Sequence, residues 1–520
     1  MRKLIILFFV VAHSAAAGTL KAAAVRTESG LISGAGGDVR VYKGVPYASP
    51  PVGSLRWQQP ARAPHWQGVR AATEFGAGCP QAFSGAKLPR LSEDCLTLNI
   101  WTPSRKPGVK LAVMVSIHGG GFVGGWSGID AYDGTALARQ GVVVVSMNYR
   151  LGVLGFLAHP ALTNESSHRA SGNYGLMDQI AALEWIQRNI AAFGGDPKRV
   201  TIFGESAGGS SVCYLLVSPP AKGLFQRAIS QSAQGIFLPM TSAAQAAKRG
   251  AQELGDDLAA LRALRWEDLM KKVQTGGAGM PAGVQFQPIV DGWVLPEDPA
   301  LMFDAGRAHA VPVIAGTNTD DGAALMLFQP VRTLSAYRDY LKTRFGDAAD
   351  RAMELYPATS DAEGRKAARQ MATDANFLLG ARSVLLAMAR SGRAYWYQFT
   401  RVDPASRKMG ALGAMHGAEV GYVFGDVTKS LFAGTPLLPG GVEGFDDTDR
   451  ALAKAMSGAW VRFAETGDPN GPGLPRWPAV DALAPEYLEF GDRIQTGRAF
   501  REEQMQFLAE RLKPRPPGRY

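Results

Sequence analysis

Short apolar runs bounded by turn residues alternate along the chain with longer stretches whose apolar positions recur every three to four residues. Residues 111–117, 142–146 and 200–203 are near-continuous apolar runs, the pattern of strands buried on both faces of a parallel sheet. Between the last two, Leu183, Ile186, Ile190 and Phe193 recur at helical spacing in a segment that Asp178 opens and that Gly194 and Gly195 close. Strand, helix and strand in succession predict an α/β fold with a mostly parallel central sheet flanked by helices. Residues 311–315 and 394–399 read as further strands. The stretches 245–272 and 334–389 are helical but less regular, and are read as insertions covering the sheet and the active site. No internal repeat or low-complexity linker appears, so residues 18–520 are expected to form a single domain.

The first residues follow a different rule. Arg2 and Lys3 precede an apolar run from Leu4 to Ala12, followed by Ser14, Ala15, Ala16 and Ala17. This is the pattern of a cleavable signal peptide over residues 1–17, and it predicts a secreted or periplasmic protein. The run is too short to span a bilayer, and no later segment is long enough to do so. In such an oxidising compartment Cys79 and Cys95, which flank a short segment containing Gly85 and Pro89, read as a disulfide. Cys213, among Val212, Tyr214, Leu215 and Leu216, reads as a buried free thiol.

The chain is 46% hydrophobic and 19% charged, which suits a globular protein. Its net charge of +9 raises the question of a nucleic-acid partner, but the Lys and Arg residues are scattered and no basic cluster is interleaved with aromatics. The densest basic stretch, residues 513–519, contains three prolines and reads as an extended end. No paired histidine or cysteine spacing suggests a metal, and no cofactor is implied.

The chemistry concentrates at three places. The strand at 200–203 runs directly into Gly204, Glu205, Ser206, Ala207 and Gly208 and then into a helical segment, which is the context a nucleophile elbow requires. His118, Gly119, Gly120, Gly121 and Phe122 follow the strand at 111–117; consecutive glycines let backbone N–H groups approach a ligand oxygen, and Gly120, Gly121 and Ala207 become the candidate oxyanion-hole donors. In such an arrangement the base follows both nucleophile and acid. Of the two histidines beyond Ser206, His309 precedes the strand at 311–315, which leaves His416. The acid lies at Asp320 or Asp321, adjacent in one loop. A triad of this kind needs neutral imidazole, so activity should fall on acidification with an apparent pKa of roughly 6 to 7.

With these pieces placed, residues 44–490 resemble the type-B carboxylesterase and cholinesterase family of α/β-hydrolases. The resemblance rests on the run from Tyr42 to Ala48 with Pro50, Pro51, Gly53 and Arg56, on residues 93–100 and 148–157, on 194–208, and on 467–471. It implies hydrolysis of a small carboxylic ester through an acyl-enzyme, with Ser206 as nucleophile, His416 as base and Asp321 as acid, a place where the family usually carries glutamate. It also implies that Cys79 pairs with Cys95 and Glu93 with Arg56, that Ser232 lies beside the acid, and that Glu205 lies near the imidazole. A solvent-exposed ion pair of little weight is an equally open reading of Glu93 and Arg56. Cholinesterases hold a quaternary ammonium on a tryptophan in the loop corresponding to 79–95; here residues 80–94 contain only Phe83 among aromatics, and Ala324 and Leu325 stand where aromatics follow the acid. This predicts short to medium uncharged esters as substrates, in a pocket lined by Phe122, Leu325 and Met326. A lipase-like or amide-cleaving hydrolase would use the same triad, and some relatives keep the fold without catalysis, though those lack a triad residue.

Overall fold

A computed structural model describes residues 23–81, 90–103, 108–273, 286–326, 331–408, 410–429, 431 and 444–514. The predicted signal peptide, Phe83 and the end of the basic tail lie outside these residues. The central sheet comprises β1 (Val39–Pro46), β2 (Thr97–Pro103), β3 (Leu111–Ile117), β4 (Val143–Met147), β5 (Gly195–Glu205), β6 (Arg227–Gln231), β7 (Val313–Asn318), β8 (Ala394–Phe399), β9 (Glu486–Phe490) and β10 (Ile494–Arg498). Their order across the sheet is β10-β9-β8-β7-β6-β5-β3-β4-β2-β1. From β9 to β4 neighbours run parallel, and antiparallel strands finish both edges. A small three-stranded sheet of Val25–Thr27, Gly30–Ser33 and Val69–Ala71 lies outside it.

The apolar runs follow from two cores, one on each face. Successive side chains of a strand point to opposite faces. Val113, Val115 and Ile117 of β3 enter one core with Val143 and Val145 of β4, while Ala112, Met114 and Val144 enter the other. The helical insertions share the first of these cores: Leu269, Tyr337, Ala368 and Leu385 are buried in the same cluster as the strands.

Several element boundaries differ from the pattern reading, each for a physical reason. The helix α1 (Tyr174–Asn189) begins a turn before Asp178. Asp178 does not cap it but is buried, its carboxylate taking Arg150 Nε at 2.8 Å, Nη2 at 2.7 Å and the Arg150 N–H at 2.9 Å. Gly194 closes the segment in the left-handed region at φ 85°, whereas Gly195 already belongs to β5. Strand β7 starts after Pro312, which has no N–H to give the ladder, and runs on through Gly316, Thr317 and Asn318, whose partners are Tyr397, Gln398 and Phe399.

Cys79 and Cys95 form a disulfide, and Cys213 is free and buried, with burial pushing its thiol up to about 12. Arg56 grips Glu93 with Nε at 2.8 Å and Nη2 at 2.5 Å, and its Nη1 reaches the Leu261 carbonyl at 2.9 Å. The pair is buried, with side-chain exposures of 4% and 11%, so the solvent-exposed reading does not hold. Among the described residues no helix is long and apolar enough to cross a membrane.

Candidate active site

Strand β5 ends at Glu205 and α2 (Ala207–Val217) begins at Ala207, so Ser206 alone makes the turn between them. Its backbone sits at φ 59° and ψ −124°, a region that costs a non-glycine residue on the order of 1–3 kcal/mol. The surroundings hold it there: Ser206 N–H donates to the Gln231 carbonyl at 2.9 Å, and Ser210 N–H donates to the Ser206 carbonyl at 2.8 Å. A Cβ on Gly204 would come within 2.6 Å of both the Ile117 carbonyl oxygen and the Gly208 carbonyl carbon, and one on Gly208 would run into the Ile117 oxygen. The glycines beside the serine are therefore required by the close approach of β3, β5 and α2.

The loop after β7 and the loop carrying His416 are joined by main chain, with Asp320 N–H donating to the Ala414 carbonyl at 2.9 Å. Ala414 N–H in turn donates to Thr319 Oγ1 at 3.0 Å. This brings His416 Nδ1 to 2.7 Å from Asp321 Oδ1 and His416 Nε2 to 2.8 Å from Ser206 Oγ. Asp321 is fully buried, and its other oxygen accepts Ser232 Oγ at 2.9 Å and the Asn318 N–H at 2.8 Å. Asp320 faces away and forms an ion pair with Arg369. The Phe377 ring lies 4.9 Å from the imidazole, tilted 49° to it.

Glu205 Oε1 lies 3.2 Å from His416 Nε2. Burial pushes the Glu205 carboxyl up to about 8; His416 pulls it down, while Glu419 and Asp321 push it further up. For His416 burial works the other way, favouring the neutral ring. The carboxylates of Glu205 and Asp321 outweigh it and raise the imidazole to about 9. Glu419, also buried, accepts Asn318 Nδ2 at 2.6 Å and Gln231 Nε2 at 3.2 Å, and burial raises its carboxyl too.

The glycine loop leaves β3 at His118. Gly120 and Gly121 take φ 109° and 62°, and the Gly120 carbonyl accepts Gly124 N–H at 3.0 Å and Val123 N–H at 3.2 Å. His118 is buried, which lowers it to about 4, and its Nδ1 lies 2.8 Å from the Gly119 carbonyl. A carbonyl can only accept, so Nδ1 carries the proton. Ala207 opens α2 directly after Ser206, where helix N–H groups lack intrahelical partners.

The three candidate pocket residues differ in burial. Phe122 is buried against Phe156 and Tyr214. Leu325 and Met326 are half-buried on the short helix Gly322–Met326, and Met326 borders a cavity of about 550 Å³ rimmed by Arg332, Arg365, Lys366 and Arg369. Sequence reasoning missed Glu419, Asn318, Arg369 and Phe377. Only Glu419 and Asn318 had a signal, their closeness in the chain to His416 and Asp321.

A serine hydroxyl, an imidazole and a buried carboxylate in this order can transfer the hydroxyl proton as the oxygen attacks an acyl carbon. A sequence model described as the carboxylesterase family matches residues 21–508. The chain belongs to the carboxylesterase family, and it is a carboxylic ester hydrolase with the α/β-hydrolase fold. It is 41% identical over 481 residues to a fumonisin B1 esterase of Sphingopyxis macrogoltabida, an alignment covering 91% of this chain and 87% of that one. It is also 36% identical over 489 residues to the para-nitrobenzyl esterase of Bacillus subtilis (strain 168), covering 90% and 95%. Two solved structures of PNB esterase superpose with TM-scores of 0.78 and 0.79 at 34% and 33% identity, covering 93% and 95% of this chain and 99% of each of those.

Proposed function

We propose that this carboxylesterase cleaves short to medium uncharged esters through an acyl-enzyme on Ser206. The observation that carries the reading is the unbroken line from Ser206 Oγ to His416 Nε2 at 2.8 Å and from His416 Nδ1 to Asp321 at 2.7 Å. His416 takes the hydroxyl proton as Oγ bonds to the acyl carbon, and the tetrahedral oxyanion is held by the N–H groups of Gly120, Gly121 and Ala207, each worth about 3 kcal/mol to the transition state. Asp321 holds the ring and its charge. The imidazolium then protonates the departing alcohol, and a water activated by the same nitrogen releases the acid. Ser232, bonded to Asp321, keeps that carboxylate aimed.

The reading extends to the whole chain: residues 18–520 act as one catalytic unit, exported after removal of residues 1–17. The buried disulfide supports export, since such bonds persist in oxidising compartments. The absence of tryptophan from residues 80–94 supports uncharged substrates, as does a relative named for para-nitrobenzyl esters.

The test is fluorophosphonate labelling followed by peptide mapping, together with specificity constants for nitrophenyl acetate, nitrophenyl butyrate, fumonisin B1 and acetylcholine. Label on Ser206, abolished in Ser206→Ala, and a preference for nitrophenyl acetate over acetylcholine are expected. Ser206→Ala that folds and turns over at the wild-type rate would overturn the mechanism, and a preference for acetylcholine would overturn the substrate class.

A further inference from the structure

The disulfide and the glycine loop meet through one side chain. Gln81 stands two residues beyond Cys79 and is buried at 5% exposure. Its Oε1 accepts the Gly125 N–H at 2.8 Å, and its Nε2 donates both to the Gly125 carbonyl at 2.8 Å and to the Cys79 carbonyl at 3.1 Å. The side-chain amide thus pairs with Gly125 as a neighbouring strand would, one donor and one acceptor on each side.

Gly125 in turn backs directly onto the start of the loop. It holds φ 116°, and a Cβ there would collide with His118 Nδ1 and the Gly119 carbonyl oxygen. Those two atoms are themselves hydrogen-bonded at 2.8 Å. The Gly119 carbonyl and the Gly120 N–H belong to one peptide unit, and because that unit is planar, fixing the direction of the carbonyl fixes the direction of the N–H. The backbone around Cys79 is anchored on its other side, with Asn148 Nδ2 donating to the carbonyls of Ala77 at 3.0 Å and Cys95 at 3.1 Å.

We infer that Gln81 is a positioning residue for the oxyanion hole, and that the Cys79–Cys95 disulfide acts on catalysis through it by holding Gln81 against Gly125. This rests on the proposed role of the Gly120 N–H. A glutamine suits the place because it presents an acceptor and a donor at once. A carboxylate of the same shape would oppose the Gly125 carbonyl with a second acceptor, and a leucine would leave both Gly125 groups without a partner. Because oxyanion-hole donors act mainly on the charge that develops in the transition state, loosening them should appear in kcat and leave KM nearly untouched.

The experiment uses the full chain with four changes: Gln81→Leu, Gln81→Glu, the pair Cys79→Ala with Cys95→Ala, and the triple variant combining that pair with Gln81→Leu. Active-site titration with a fluorophosphonate normalises each rate to competent serine, so loss of labelling would count against the Ser206 reading and a change in normalised turnover reports on Gln81. Gln81→Glu, nearly isosteric, serves if Gln81→Leu does not fold. The expected result is a fall in kcat of about ten- to a hundredfold with KM changed by less than about threefold, affinity for a trifluoromethyl ketone falling in parallel with kcat/KM. The triple variant should be no slower than the worse of its two parents. Unchanged kcat in Gln81→Glu, or losses that multiply in the triple variant, would overturn the inference.

Discussion

The Glu205 carboxylate lies 3.2 Å from Nε2 of His416, on the edge of the imidazole that faces Ser206. A charge here stabilises the protonated ring, and with Asp321 it raises His416 above its ordinary value of 6.5. With His416 as the proposed base, catalysis needs the neutral ring, so activity falls below the imidazole pKa and grows as pH rises through it. The acid limb of kcat/KM should therefore lie above pH 6.5, higher than the sequence alone suggests. Replacing Glu205 by Gln removes the charge and favours the neutral ring, so the limb should move to lower pH by about one unit or more. A pH profile of both proteins checks this. A wild-type limb at or below 6.5 that does not move in the variant would refute it.

The neighbouring aspartates should separate cleanly. Asp321→Asn leaves the shape but gives Nδ1 an amide that cannot carry the imidazolium charge, and turnover should fall by about 10⁴-fold. Asp320→Asn removes only the buried carboxylate charge that pairs with Arg369, away from the imidazole, and should cost activity less than about tenfold. Steady-state kinetics on folded variants decides; the reverse order of damage would mean the roles are exchanged.

Removing Glu93 should be a matter of stability. Glu93→Ala leaves the Arg56 guanidinium buried with the Leu261 carbonyl as the one remaining hydrogen-bond acceptor for its side chain among the described residues, a loss of about 3–5 kcal/mol. The urea midpoint should drop accordingly, while the folded fraction keeps its kcat. An unchanged midpoint would show that solvent reaches the pair.

Thiol counting tests the covalent frame. Unreduced peptide mapping should return Cys79 linked to Cys95 and Cys213 alone as a thiol, unreactive to alkylation until the protein unfolds. In the chain-entropy account the bridge, with its sequence separation of 16, stabilises by about 3 kcal/mol. Recovery of three free thiols from protein made in an oxidising compartment would contradict the structure.

The legible parts of this protein were those written locally in the chain. Strands β3, β4 and β5 announce themselves because both faces are buried, and the elbow because strand, glycines, serine and helix are contiguous. His416 followed from chain order. The choice between Asp320 and Asp321 could be taken only from family resemblance, since two adjacent carboxylates in a loop look alike until their opposite partners, Arg369 and His416, are known. The polar half of β7 was hidden because Thr317 and Asn318 are buried by hydrogen bonding, not by hydrophobicity. Gln81 and Glu419 carry no periodicity at all. Gly125 stands 44 residues from Gln81 and Gln231 stands 188 from Glu419, and only the folded chain brings them together.

Ser206 and His416 are separated by 210 positions, and Asp321 stands 95 before His416. Between them, β6 must pair with β7, matching Gln231 to Gly316, and β7 with β8 before the histidine loop has anything to rest on. Closing such long loops is slow relative to local helix formation. During renaturation backbone ellipticity should therefore recover before ester cleavage, which has to wait until β6, β7 and β8 are paired. Turnover in this enzyme thus marks the moment at which three strands from distant parts of the chain have met.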